Sequence, residues 1–342
     1  MKIISLILAA FFVIMPAPQA HETGCLSYCM EACGEPEYGE EWFVIALCTN
    51  GYNPGEDFKE SYIASVAAKA AETDGVLTST RFTEYSRCVI ALTLCGADAR
   101  DIGGYDLTLP LLDMDNVLKQ GLNGAIFALI ALDSGGYAPA MSKVLVETIL
   151  SRQLEDGGWA LGGKISDSDL TAMAIQALSE HRDDEAVNAA IEKGLARLSA
   201  MQQDDGSFTN YGDPNSESCA QVIIALSSLG LEPGYMTKNG NTVFDALLSY
   251  RNEDGGFCHM ADGASANMPT VQAMIAFNSM KRLNDCIYMP EAPEVPEVPE
   301  VPDEPMSDMR SLSDSRPADL VVLSPGESSG RAAFSMSGAA AK

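Results

Sequence analysis

Tryptophan is rare, at two residues in 342, and basic residues are few: 21 Lys and Arg against 48 Asp and Glu, a formal charge of −27. So negative a chain is excluded from a general role on nucleic acid, on an anionic membrane face or on diphosphates, unless a local basic pocket intervenes. Scarce tryptophan leaves few stacking platforms for sugar rings. No apolar run is long enough for a comfortable membrane span; Ile3 to Met15 is too short. Neither a lipobox before Cys25, where Glu22-Thr23-Gly24 stands, nor a Leu-Pro-x-Thr-Gly sorting signal is present. Hydrophobic residues still make up 46%, enough for a sizeable core and against wholesale disorder.

Composition divides the chain. Lys2, the apolar run and Pro18-Gln19-Ala20 read as a signal peptide over 1–20, so a secreted or cell-surface location is expected. A Cys-containing segment covers 21–37 and the folded domain 38–289. Residues 290–305 hold a Pro-Glu-Val repeat that forms a stiff extended linker. The tail, 306–342, is Ser-, Gly- and Ala-rich and reads as disordered. The linker makes a cell-surface or protein partner an expectation.

Nine cysteines are present. Cys25, Cys29 and Cys33 lie four apart and share one face of a helix. Either a metal cluster or disulfides fit, and disulfides are preferred near an exported N-terminus. Cys88, Cys95 and Cys219 fall in apolar helical stretches and read as buried thiols.

The strongest signal is a repeat. An Ala-Leu step recurs at Ala46, Ala91, Ala131, Ala177, Ala225 and, as Ala-Phe, at Ala276; the intervals are 45, 40, 46, 48 and 51 residues. The helices around these steps are apolar on nearly every side and belong inside. Between them lie helices with a polar face: Phe58 to Glu72, Lys143 to Gln153, Glu185 to Met201 and Val243 to Tyr250. Inner and outer helices alternate about six times, which closes naturally into a double ring with parallel inner helices.

The turns entering the inner helices repeat as well. Gln153 to Trp159 reads Gln-Leu-Glu-Asp-Gly-Gly-Trp, Gln202 to Phe208 reads Gln-Gln-Asp-Asp-Gly-Ser-Phe, and Arg251 to Phe257 reads Arg-Asn-Glu-Asp-Gly-Gly-Phe. Asp-Gly permits positive φ at the helix stop, and the aromatic folds back as a staple. These turns resemble the QW-type repeats of squalene cyclases and protein prenyltransferase β subunits. The likeness runs from Tyr38 to Arg282, and the layout is similar to exported bacterial prenyltransferase/squalene oxidase repeat proteins. It implies an all-α fold, an α/α toroid of about six inner and six outer helices.

Four residues before each repeated Ala stand Trp42, Arg87, Phe127, Met173, Gln221 and Gln272; eight before stand Tyr38, Thr83, Asn123, Asp169, Glu217 and Met268. Residues four apart share a helix face, so these are two layers near the inner helix N-termini, where the helix dipoles offset carboxylates. This mouth is the expected ligand site. Asp167, Asp169 and Glu217 have two readings there. One is capping, since Asp167-Ser168-Asp169 and Asn215-Ser216-Glu217 each begin a helix. The other is catalysis by Asp169 with Asp167: Asp167 to Ala172 resembles the Asp-x-Asp-Asp-Thr-Ala stretch of proton-initiated cyclases, which implies Asp169 as general acid and departs at Leu170.

Other chemistries match less of the chain. The prenyltransferase likeness implies a zinc site whose Cys position is Asp169 and whose last inner helix supplies a His that is missing. Adjacent Cys258 and His259 point apart. Cys33-Gly34-Glu35-Pro36 resembles a thioester motif but lacks its Gln. Neither a metal nor a cofactor is expected. Helical rings also host glycoside hydrolases and polysaccharide lyases, for which Asp169 and Glu217 are the carboxylate pair. The preferred expectation is a non-catalytic, exported binding or surface-interaction module for a small apolar or amphipathic ligand. A divergent cyclase and a carbohydrate-active enzyme are the alternatives.

Overall fold

The computed structural model describes residues 19–49, 54–210 and 212–290. Most of the expected leader, and nearly all of the linker and tail, lie outside the described residues. Six helices bury almost their whole surface: α2 (Glu41–Cys48), α4 (Thr83–Leu94), α6 (Gly121–Ser134), α8 (Ser168–Leu178), α10 (Ser216–Ser228) and α12 (Asn267–Lys281). In α6, eleven of fourteen residues are buried. A rod so apolar all round is stable only with neighbours on every side. Each of these helices packs on the next, and α12 returns to α2. At that seam the Asn278 amide donates to the Ala46 carbonyl at 2.9 Å and to the Thr49 hydroxyl at 3.0 Å. The ring is therefore closed, and the expected α/α toroid is the observed fold.

The outer layer consists of α1 (Gln19–Cys33), α3 (Glu56–Glu72), α7 (Pro139–Ser151), α9 (Glu185–Met201) and α11 (Val243–Leu248). In α9 only Val187, Ala190, Ile191, Gly194 and Leu198 are buried, a stripe at spacings of three and four. Two expectations need correction. Between α4 and α6 no long outer helix forms; the chain wraps through short turns that include α5 (Met114–Val117), because Gly103, Gly104 and Pro110 interrupt any helical period there. α1, which carries Cys25, Cys29 and Cys33, is the outer helix that covers the α12–α2 seam. Its buried stripe is Cys25, Cys29 and Cys33, and the Cys25 thiol donates to the Thr270 carbonyl at 3.3 Å. All nine cysteines are free thiols rather than the preferred disulfides.

The repeated turns work as staples. Gly157, Gly206 and Gly255 have φ of 90°, 86° and 86°. A Cβ on Gly206 would meet the Thr242 carbonyl oxygen at 2.4 Å. Asp156, Asp205 and Asp254 each accept the N–H two residues on. The Gln153 amide donates to the Gly157 and Ala190 carbonyls, both at 2.8 Å, tying its turn to α9. Gln153→Ala is expected to cost about 1–2 kcal/mol for the pair of lost bonds. Thermal melting checks this, and an unchanged midpoint would show the glutamine to be dispensable.

After each aromatic the chain makes a short excursion before the next inner helix. Two of these excursions are antiparallel ribbons: β1 (Thr209–Asn210) with β2 (Asp213–Pro214), and β5 (Phe257–Cys258) with β6 (Ser265–Ala266). A third ribbon, β3 (Thr237–Lys238) with β4 (Asn241–Thr242), leads into α11. The first two ribbons stand beside the N-termini of α8 and α10.

Candidate functional site

The Ala layer of the inner helices is sealed: Ala46, Ala91, Ala131, Ala177, Ala225 and Ala276 are all buried. The layer above it is filled by unlike groups. Trp42 and Phe127 meet edge to face with centroids 5.8 Å apart, and the Arg87 guanidinium lies 5.9 Å from the Trp42 ring centre. On the opposite side a chain of amides crosses three helices. Gln176 donates to Gln221 Oε1 at 2.9 Å, and Gln221 donates to Gln272 Oε1 at 2.9 Å. Aromatic and polar side chains thus pack on one another across this layer.

At the rim, Asp169, Asn210, Asp213, Asn215, Glu217, His259, Met260, Met268 and Gln272 line a pocket of about 470 Å³. The repeat builds it twice over. Asp167 caps α8 by accepting the Leu170 N–H at 2.8 Å, and Asn215 caps α10 by accepting the Ser218 N–H at 2.8 Å. Capping therefore accounts for Asp167 and leaves Asp169 and Glu217 for the pocket. Between cap and acid stands a serine: Ser168 is shared by the Thr209 carbonyl (3.0 Å) and Asp169 Oδ1 (3.1 Å), and Ser216 by the Cys258 carbonyl (2.7 Å) and Glu217 Oε2 (3.0 Å). Each inner helix start is tied in this way to the ribbon of the following repeat.

The ribbons then supply partners for the acids. The Asn210 amide donates to Asp169 Oδ2 at 2.6 Å, and His259 Nδ1 lies 2.8 Å from Glu217 Oε2. Burial raises the Asp169 carboxyl above its usual range; the Ser218, Asn210 and Ser168 donors oppose that shift, and the Glu217 charge adds to it. Three carboxylates and one imidazole leave the pocket acidic. Among the described residues no group of three or more His, Cys, Asp or Glu is arranged to hold a metal ion.

The expected site residues are split by this geometry. Asp169, Glu217, Met268 and Gln272 come together, with Gln221 directly beneath. Trp42, Arg87 and Phe127 pack on one another and do not line the pocket. Asn123 belongs to a second hollow of about 470 Å³ with Lys119, Gln120, Gly121 and Leu161. Tyr38 and Met173 pack partly buried against the core, and burial pushes the Tyr38 phenol up to about 12. Asp167 faces an outer hollow of about 360 Å³ with Arg197 and Gln203, away from Asp169. Asn210, Asp213, Asn215, His259 and Met260 were absent from the sequence set. Their signal is position: each follows a stapled aromatic or precedes the next inner helix.

No protein-family model matches this chain, and no curated protein matches it in sequence. Among solved structures it is similar to a variant of UGL with dGlcA-Glc-Rha-Glc: 11% identity, TM-score 0.54, covering 79% of this chain and 98% of that one. It is likewise similar to the unsaturated glucuronyl hydrolase of Bacillus sp. GL1, responsible for the degradation of glycosaminoglycan: 11% identity, TM-score 0.53, the same coverage. A third match is the ent-copalyl diphosphate synthase of Streptomyces platensis: 20% identity, TM-score 0.48, 72% of this chain and 50% of that one. At such identities the first two establish the fold alone. They do not place the chain among squalene cyclases or prenyltransferases.

Proposed function

We propose that this chain is a non-catalytic binding module whose toroid mouth takes a neutral, hydroxyl-rich ligand of one or two sugar rings. The observation that carries the reading is the engagement of both acids within the rim. Asp169 Oδ2 takes the Asn210 amide, and Glu217 Oε2 takes His259. Carboxyls held this way present fixed lone pairs to ligand hydroxyls. General acid–base work on a glycosidic bond instead needs one carboxyl free to hand over its proton and a second facing it across the reacting bond. The lining offers amide donors, carboxylate acceptors and two methionines, a mixture suited to a sugar and more polar than the apolar or amphipathic ligand expected from the sequence calls for. Its acidity repels anions.

A cyclase fits this mouth poorly. A carbocation needs free aromatic faces. Here Trp42 and Phe127 pack edge to face against each other, and the Arg87 cation already lies over the Trp42 ring. A carbohydrate-active enzyme is the second reading, favoured by the raised Asp169 carboxyl, which suits a proton donor. Export and display on the Pro-rich linker complete the proposal, with the head held away from a surface.

Calorimetric titration with glucose, N-acetylglucosamine and maltose, beside glucuronate and farnesol, tests it. Neutral sugars are expected to bind with Kd of roughly 10 μM to 1 mM and glucuronate not at all. Binding of farnesol alone overturns the ligand class. Release of reducing ends from neutral or unsaturated uronyl oligosaccharides overturns the non-catalytic reading in favour of the enzyme.

A further inference from the structure

We propose that Cys48 and Cys95 form a reversible disulfide that ties the first two inner helices together at the end of the ring away from the mouth. Cys48 is the last residue of α2 and Cys95 the first after α4, two helices that pack side by side. Their Sγ atoms are 3.9 Å apart, in hydrogen-bond contact, and bonding requires that gap to close to about 2 Å.

The pair also has the chemical asymmetry of an attacking and a resolving thiol. Cys88, Cys219 and Cys286 are sealed in the core, and burial pushes each thiol up, to about 12 for Cys219 and Cys286. Cys48 is pulled the other way: the hydrogen bond with Cys95 stabilises its thiolate against burial, and the Lys59 ammonium adds to that. Cys95 is correspondingly raised. Cys48 is partly exposed while Cys95 is 7% exposed, so an external oxidant meets Cys48 first.

The reaction is thiol–disulfide exchange with a low-molecular-weight disulfide. The Cys48 thiolate attacks one sulfur of oxidised glutathione and expels one glutathione thiolate, which takes up a proton. Cys95 then gives up its proton and attacks the Cys48 sulfur, expelling the second glutathione. Two protein thiols are oxidised, and one glutathione disulfide is reduced to two thiols. Because the two residues are 47 apart in sequence, the bond closes a long loop, the case in which restricting the unfolded chain stabilises most.

The test is peptide mapping of the whole chain. Reduced protein is treated with oxidised glutathione, alkylated in denaturant without reduction, digested and analysed by mass spectrometry. A cross-linked peptide joining Cys48 to Cys95, lighter by two hydrogens, is expected, with Cys88, Cys219 and Cys286 recovered alkylated. The melting midpoint should rise by roughly 5–10 °C on oxidation. Cys95→Ser should stop the reaction at a single glutathione adduct on Cys48 and abolish the rise. Recovery of Cys48 and Cys95 both alkylated, or cross-linked chiefly to other cysteines, overturns the proposal. The map needs no variant to fold, and the bond lies far from the sugar pocket, so this proposal and the binding one fail separately.

Discussion

Asp169→Asn is expected to weaken neutral-sugar binding about 10- to 100-fold and, at neutral pH, to make the folded protein more stable. The two effects have one cause. A hydrogen bond to a charged acceptor is worth more than one to a neutral amide, and ligand hydroxyls lose that acceptor. The same charge is costly to the fold, because burial raises the Asp169 carboxyl above its ordinary value of 3.8. The folded chain therefore holds the Asp169 proton more tightly than the unfolded chain does. This group's contribution to stability is full below the unfolded pKa and is lost as pH rises through the raised folded one. Above that window the asparagine variant escapes the penalty. Its side chain also finds a partner, since the Asn210 Oδ1 atom is buried without one among the described residues. Titration calorimetry and denaturant melts at pH 3 and pH 7 measure both arms. A variant less stable than wild type at pH 7, with unchanged binding, would remove Asp169 from the pocket's economy of charge.

The fold was more legible in the sequence than this pocket, for a physical reason. A toroid repeats one packing problem, so the Ala-Leu step and the Asp-Gly-aromatic turn recur wherever an inner helix must be buried and an outer one stopped. Both are short-range signals. The same register placed Asp169, Glu217 and Met268 at one level of the ring and Gln272 at the next, and the pocket contains all four. The register could not say which half of the level stays open. That depends on side-chain volume across the ring: Trp42 and Phe127 reach each other and close one half. Nor does a helix period speak about Asn210 or His259. They sit on two-residue ribbons whose only sequence trace is the gap between a stapled aromatic and the next cap. Cys25, Cys29 and Cys33 were placed correctly on one helix face, but the contact that hides them is with α12, more than two hundred residues away.

The largest loss of stability is expected from Trp159→Ala, about 3–5 kcal/mol and a midpoint lower by roughly 10 °C. Trp159 is fully buried and joins three helices at once. Its indole N–H donates to the Ile149 carbonyl at 2.8 Å near the end of α7, and its backbone N–H donates to the Thr171 hydroxyl on α8 at 3.0 Å. Its ring also lies so close to Gly194 on α9 that a Cβ there would stand 2.9 Å from Cζ3. Removing the ring opens a cavity between layers and takes the indole donor from the Ile149 carbonyl, which keeps only the Arg152 N–H at 3.1 Å. The other repeats supply the control. Phe208 and Phe257 hold the equivalent positions, fully buried and without an indole donor. Trp159→Phe should therefore keep the staple and cost only about 1–2 kcal/mol, the hydrogen bond and the lost ring volume. Denaturant unfolding followed by far-ultraviolet circular dichroism reads both variants without relying on tryptophan emission. If alanine and phenylalanine cost the same, the hydrogen bond rather than the packed ring holds this turn, and the equivalence of the three repeats fails at its best-formed member.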